Sequence, residues 1–103
     1  VRSMERLQRE VDRVIKSFGG YWEPFEMLGA VVEELGELSR EMLKFEGIKK
    51  DEGNSRIEEE LGDVLFALIC IANYYNINLE KALDKTISKY SFRDKERWRS
   101  STL

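Results

Sequence analysis

The sequence predicts an all-α protein built as a four-helix bundle, and three observations carry that prediction. Apolar residues recur at spacings of three and four along the 103-residue chain, no stretch alternates apolar and polar residues as a half-buried strand would, and Gly19-Gly20, Pro24, Gly47, Gly53-Asn54, Asn76 and Asn78 punctuate the periodic segments. With 42% hydrophobic residues, a single domain over residues 1–103 with a modest core is expected.

The first helix runs from Met4 to Phe18, with Leu7, Val11, Val14, Ile15 and Phe18 on its apolar face, and Gly19-Gly20 ends it. Val1-Arg2-Ser3, a remnant or disordered lead, is assigned no role, and Met4 is a candidate natural start. Pro24 suits the first turn of the second helix, where an N–H is not needed. Leu28, Val31, Leu35, Leu38, Met42 and Phe45 give that helix a bundle-type stripe, and Gly47 stops it. A polar loop over 47–55 follows, with Gly53 and Asn54 as turn residues and Ser55 as N-cap three residues before Glu58.

The third helix, about 56–75, carries Ile57, Leu61, Val64, Leu68, Ile71 and Tyr75 on one stripe. Between Val64 and Ala72 it is apolar nearly all round, because Leu65, Phe66, Ile69 and Cys70 widen the face. A helix of that kind packs on several sides, and in so short a chain this predicts an oligomer joined through its helices. Residues 76–78 form a turn with Asn78 as N-cap, and a fourth helix runs from Leu79 to Lys89 with Leu79, Ala82, Leu83 and Ile87 inward. Beyond it lie a basic and aromatic segment over 90–98 and a polar tail over 99–103.

Composition removes several function classes. The charged fraction is 36% but the net charge only −3, with both signs interspersed, so no field points at a nucleic acid polymer or a membrane surface. The chain has no histidine and one cysteine, Cys70, which excludes Cys/His zinc sites, histidine catalysis and an intramolecular disulfide. Cys70 reads as a buried structural thiol. The longest apolar run falls far short of the roughly 20 residues of a membrane span, and a soluble, cytoplasmic protein is expected.

One pattern asks for chemistry. Glu33-Glu34-Leu35-Gly36-Glu37-Leu38 returns 26 positions later as Glu59-Glu60-Leu61-Gly62-Asp63-Val64. Like charges at helical spacings cost roughly 0.2 to 0.5 kcal/mol per pair, and a glycine inside a helix is worse than alanine by about 0.8 to 1.0 kcal/mol. At about 100° per residue, Glu34 and Glu37 share one flank of the second helix, and Glu60 and Asp63 fall on the matching flank of the third. Two adjacent helices can thus turn four carboxylates into one cleft, with Gly36 and Gly62 allowing close helix approach or room for a ligand. Glu33 and Glu59 point further round.

All-oxygen ligands suit hard cations, Mg²⁺ first and Mn²⁺ second. Iron in a helical bundle would call on Glu-x-x-His motifs that this chain cannot supply. Mg²⁺ held by a few carboxylates completes its shell with water and substrate phosphate, so the cluster implies metal-assisted hydrolysis of a phosphate-bearing substrate. A merely solvated acidic face is the commoner fate of Glu-rich helices, but it leaves the repeat, the matched offsets and the two glycines unexplained.

EExxE (Glu33, Glu34, Glu37), a gap of 22 residues and ExxD (Glu60, Asp63) resemble the signature of the all-α MazG-type nucleoside triphosphate pyrophosphohydrolases, relatives of the dimeric dUTPases. The likeness runs from about Val11 to Trp98, and the segment from Lys89 to Trp98 resembles the short single-domain YpjD-like branch. The resemblance implies Mg²⁺-dependent cleavage of an NTP or dNTP to the monophosphate and pyrophosphate, in homodimers or homotetramers. It implies Glu34, Glu37, Glu60 and Asp63 as metal ligands, Glu33 as an accessory acid, and Lys89 and Arg93 as phosphate contacts. A basic helix end is also favourable without a ligand, so Lys89, Arg93, Lys95 and Arg97 have a structural reading too. Phe18, Tyr21 and Trp22 are candidates to stack on a base, or to close the end of the bundle. The competing function is a non-catalytic helical module that binds nucleotide or metal.

Overall fold

The computed structural model describes residues 2–48 and 55–101, with side chains as far as Arg93. Four helices follow in order: α1 (Met4–Ser17), α2 (Pro24–Phe45), α3 (Ile57–Tyr74) and α4 (Leu79–Ser101), and there is no strand among the described residues. The turn assigned to Gly53 and Asn54 lies outside them, as do the side chains of Lys95, Arg97 and Trp98 and the last two residues of the polar tail.

Local chemistry explains most helix ends. Gly19 and Gly20, at φ of +107° and +108°, turn the chain out of α1 through a region that side chains disfavour. Gly47, at +74°, does the same after α2, while Ile48 N–H returns to Leu43 O at 3.1 Å. Asn78 caps α4 as expected, its Oδ1 accepting the Lys81 N–H at 3.0 Å.

Three expectations are corrected. Ser3, given no role from sequence, is the N-cap of α1, and its Oγ accepts the Arg6 N–H at 3.2 Å. Ser55 is not the cap of α3. That position belongs to Arg56, whose N–H donates to Glu41 Oε1 of α2 at 2.9 Å. Helix α4 continues past Lys89 to Ser101, because residues 90–101 contain neither glycine nor proline and lose only the apolar periodicity that marked the earlier part.

Helices α2 and α3 make the principal pairing, α1 packs on α3, and α4 touches α1. Met27 and Val31 of α2 are buried, as are Val64, Ala67, Ile69, Cys70 and Ala72 of α3. Much of each expected apolar stripe faces outward: Leu35 is 48% exposed and Leu61 52%, and Leu28, Met42, Leu68, Leu83 and Ile87 are similar. Periodicity reports that a helix has an apolar face, but not whether its own chain covers it.

The α1–α3–α4 junction is polar and closed. Gln8, 7% exposed, donates from Nε2 to Asn73 Oδ1 at 3.0 Å and to Ile77 O at 2.9 Å, and its Oε1 accepts the Leu79 N–H at 2.9 Å. Asn73 Nδ2 donates to Gln8 O at 3.0 Å and to the Tyr21 hydroxyl at 3.1 Å, which itself donates to Asp12. One amide thus ties α1 to the end of α3, the following turn and the start of α4. Removing it leaves several partly buried partners unpaired, which costs about 1 to 3 kcal/mol for each group that water cannot reach. Gln8→Leu should therefore lower the free energy of urea unfolding by about 2 kcal/mol or more at fixed protein concentration.

The same network sets two ionisations. Asp12 is held below its ordinary 3.8 by the Tyr21 hydroxyl and then by Lys16, so its stabilising contribution is present above that value and is lost as pH falls through the lower folded one. Tyr21 is pushed up to about 12, first by burial and then by Asp12. Its contribution is complete below the ordinary phenol value of 10.0 and disappears as pH rises towards about 12. A phenolate absorbance titration by pH jump, parent minus Tyr21→Phe, should show one phenol near 12, shifted down by Asp12→Asn. A difference curve centred on the ordinary value would contradict this ionisation.

Candidate active site

Glu41 near the end of α2 meets Arg56 at the start of α3, and Glu34, earlier on α2, meets Asp63, later on α3, so the two helices run antiparallel. That arrangement brings the two copies of the acidic repeat face to face. One carboxylate oxygen from each of Glu34, Glu60 and Asp63 lies within 4.8 Å of the others. Oxygens sharing a hard cation at about 2.0 to 2.6 Å are at most about 5 Å apart, so the trio is close enough to hold one.

Electrostatics makes Glu60 the centre of the cluster. Burial, then the charges of Asp63 and Glu34, a hydrogen bond with Glu34, and finally Glu37 all push its carboxyl up from the ordinary range. Its Oε2 is buried with no hydrogen-bond partner. A buried carboxylate oxygen without a donor is costly, and a cation is the group that would satisfy it among like charges. The residues present therefore fit a hard metal ion.

The other acids are placed differently. Glu37 is exposed and outside the close trio, though near enough to act on Glu60. Glu33 is exposed. Glu59 is engaged by the Arg56 guanidinium, with contacts of 2.8 and 2.6 Å. A Cβ added at Gly36 or Gly62 would meet nothing within 4 Å, so close approach within this chain does not explain either glycine.

A cavity of about 540 Å³ opens beside the acids, a size suited to small molecules. Glu34 and Asp63 line it together with Phe18, Tyr21 and Trp22 from the α1–α2 connection and Phe66 and Cys70 from α3. Phe18 and Trp22 are 82% and 63% exposed, so they border this space rather than seal a bundle end. Tyr21 presents its ring, since its hydroxyl is engaged by Asp12 and Asn73. Burial raises the Cys70 thiol, which makes it a poor nucleophile.

Lys89 and Arg93 do not line the cavity. Both lie over the Tyr90 ring, Lys89 Nζ at 4.9 Å and Arg93 Cζ at 4.4 Å from its centroid, on a helix that packs against α1. Sequence reasoning missed Phe66 and Cys70 as cavity walls, since both belong to a stretch apolar all round. It also missed Glu41, which is 5% exposed and lies four residues past Glu37 on the same helical face. An acid inside an apolar spacing pattern was the available signal.

Comparison with known proteins agrees with this geometry. The family model described as the MazG nucleotide pyrophosphohydrolase domain matches residues 23–98, a span that contains every acid of the cluster. YpjD of Bacillus subtilis (strain 168) is 46% identical over 101 residues, covering 94% of this chain and 91% of that protein. Among solved structures, the Bacillus-conserved MazG protein, a nucleotide pyrophosphohydrolase, superposes with a TM-score of 0.78 at 43% identity over 87% of this chain and 90% of that one. A crystal structure of Bacillus subtilis YpjD gives a TM-score of 0.79 at 44% identity, covering 87% and 96%. A cavity lined by Glu34 and Asp63 of the carboxylate trio and by aromatic side chains thus sits in a chain that belongs to the MazG nucleotide pyrophosphohydrolase family, and the protein is a hydrolase of that class.

Proposed function

We propose that the protein is a Mg²⁺-dependent pyrophosphohydrolase that cleaves an NTP or dNTP to the monophosphate and pyrophosphate. One observation carries the reading: a single cavity is lined at once by Glu34 and Asp63 and by Phe18, Tyr21 and Trp22. The acids suit a metal-bound triphosphate, and the aromatics suit a base. Glu34, Glu60 and Asp63 would hold the ion, Mg²⁺ or Mn²⁺, with Glu37 as a fourth ligand and Glu33 as an accessory acid. When bound, such an ion polarises the phosphates and makes an attacking water more acidic. The chain's own contribution is to hold the carboxylates ready, to stack the base between Phe18 and Trp22, and to keep the Tyr21 ring fixed behind it. A cytoplasmic nucleotide pool is the setting this reading assumes, and no described helix is long and apolar enough to cross a membrane.

The reading includes a homodimer or homotetramer. A folded monomer of 12.1 kDa exposes about 6,000 Å², whereas this chain exposes 8457 Å². Its radius of gyration is 17.6 Å, against about 13 Å for a compact chain of this length. Leu61, Leu65 and Leu68 form one exposed apolar stripe on α3, and Leu83, Ile87 and Tyr90 form another on α4. Further copies of the chain would cover both. Lys89 and Arg93 then act as phosphate contacts delivered across that interface.

With Mg²⁺, the purified protein should release pyrophosphate from at least one of a panel of NTPs and dNTPs, and chelation by EDTA should abolish the release. A folded, metal-loaded protein inert across the panel would sink the proposal. Glu60→Gln should reduce turnover by about two orders of magnitude or more. The same change should raise the thermal midpoint of the metal-free protein, because it removes a repelled, unpartnered carboxylate. Trp22→Ala should raise KM by about tenfold and leave kcat nearly unchanged, as loss of uniform stacking energy requires. Sedimentation showing a stable monomer at micromolar concentration would contradict the oligomer.

A further inference from the structure

Glu41 is the buried acid that takes no part in the carboxylate trio. It lies seven residues past Glu34 and four past Glu37, on the same face of α2, and is 5% exposed. Both of its oxygens are engaged: Oε1 accepts the Arg56 N–H at 2.9 Å, and Oε2 lies 3.0 Å from Lys44 Nζ. Lys44 first and the Arg56 amide second hold its carboxyl below the ordinary range, so it is an anion at neutral pH, already satisfied by the protein.

The contact with Arg56 is the informative one. Arg56 is the N-cap position of α3, and that helix has no side-chain cap of its own. Glu41 supplies an acceptor there from the neighbouring helix. Along the chain, Arg56 precedes Glu60 by four residues and Glu41 follows Glu37 by four. The bond therefore crosses between the helices about one turn, or roughly 6 Å, from the acids on each. A backbone N–H has a fixed position in its helix, and a bond of this length tolerates displacements of only a few tenths of an ångström. A slide or rotation of α3 against α2 would stretch it or pull the Glu41 carboxylate off Lys44, and the same slide would carry Glu60 and Asp63 away from Glu34.

We infer that Glu41 is a positioning residue for the metal site: by clamping the Arg56 amide at the head of α3, it sets the register in which Glu60 and Asp63 meet Glu34. This rests on the reading of that trio as a cation site. Lys44 completes the device by keeping the Glu41 charge occupied, so that an acid on the ligand-bearing face does not become a competing ligand.

Mn²⁺ binding to the full chain, followed through the EPR signal of the free ion, tests the inference. Glu41→Met, which fills the space without an acceptor, should bind Mn²⁺ about tenfold or more weakly than the parent, while Glu41→Gln, which keeps the acceptor, should stay within about threefold. A Glu41→Met protein that melts lower but binds Mn²⁺ as tightly as the parent would show a merely structural role and overturn the inference. Equal weakening by both variants would also overturn it, since charge rather than the clamp would then matter. The parent protein gives an independent readout. Saturating Mg²⁺ should slow hydrogen exchange of the Arg56 amide, and an unchanged exchange rate would overturn the inference even if Glu41→Met failed to fold. Absence of Mn²⁺ binding by the parent would remove the cation site itself, a failure separable from that of the clamp.

Discussion

Like charges on paired helices repel, and the architecture of this protein follows from holding three of them together. Glu34, Glu60 and Asp63 meet within 4.8 Å because α2 and α3 lie antiparallel over a seam that includes Met27, Val31, Val64 and Ala67. Burial of that apolar seam opposes the repulsion, and the repulsion makes the site receptive to a cation.

Pairing α2 with α3 also builds one wall of the cavity, from Met27, Ala30 and Glu34 on one helix and Asp63, Phe66, Ala67 and Cys70 on the other. The connection between α1 and α2 shares the cavity with Glu34 and Asp63, and it carries Phe18, Tyr21 and Trp22 to its wall. Tyr21 is not free to turn away, because Asp12 of α1 and Asn73 of α3 both hold its hydroxyl, and Gln8 holds Asn73 in turn. The aromatic wall is therefore anchored to the polar junction at which α4 begins. Phe18 and Trp22 have no comparable tether among the described contacts and stand largely in solvent. One fixed ring beside two exposed ones suits a pocket whose back is rigid and whose front adjusts to what enters.

Much of this was legible in the sequence, for physical reasons that also mark where legibility ended. The repeat around Glu34 and Glu60 carries its own angular information, since helical phase places each acid relative to the apolar stripe. Phase says nothing about axial register, and so it could not separate Glu37, which stays at the margin, from the three acids that converge. Ser55 looked like the cap of α3 because serine commonly fills that role, but a tertiary acceptor from Glu41 replaced it. The end of α4 was missed because a helix with no apolar stripe has no periodic signal, even where nothing in its sequence breaks it. Leu83 and Ile87 read as inward-facing residues of the fourth helix but stand exposed, and Leu35 and Leu61 lie on bundle-type stripes that this chain leaves about half uncovered.

Two acids on the α2–α3 seam show how structure separates support from chemistry where sequence cannot. Glu41 and Glu60 are both glutamates on apolar helices, and each faces the partner helix. Glu41 has a cation and an amide as partners and is pulled below the ordinary carboxylate range, whereas Glu60 has neighbouring acids and an orphaned oxygen and is pushed above it. About one helical turn separates a buried acid that the fold satisfies fully from a half-buried one whose inner oxygen has no partner. The deficit at Glu60 is what the proposed cation would fill. Gly36 and Gly62 fit the same account, since each weakens its helix while its missing side chain leaves open space that no part of this chain occupies.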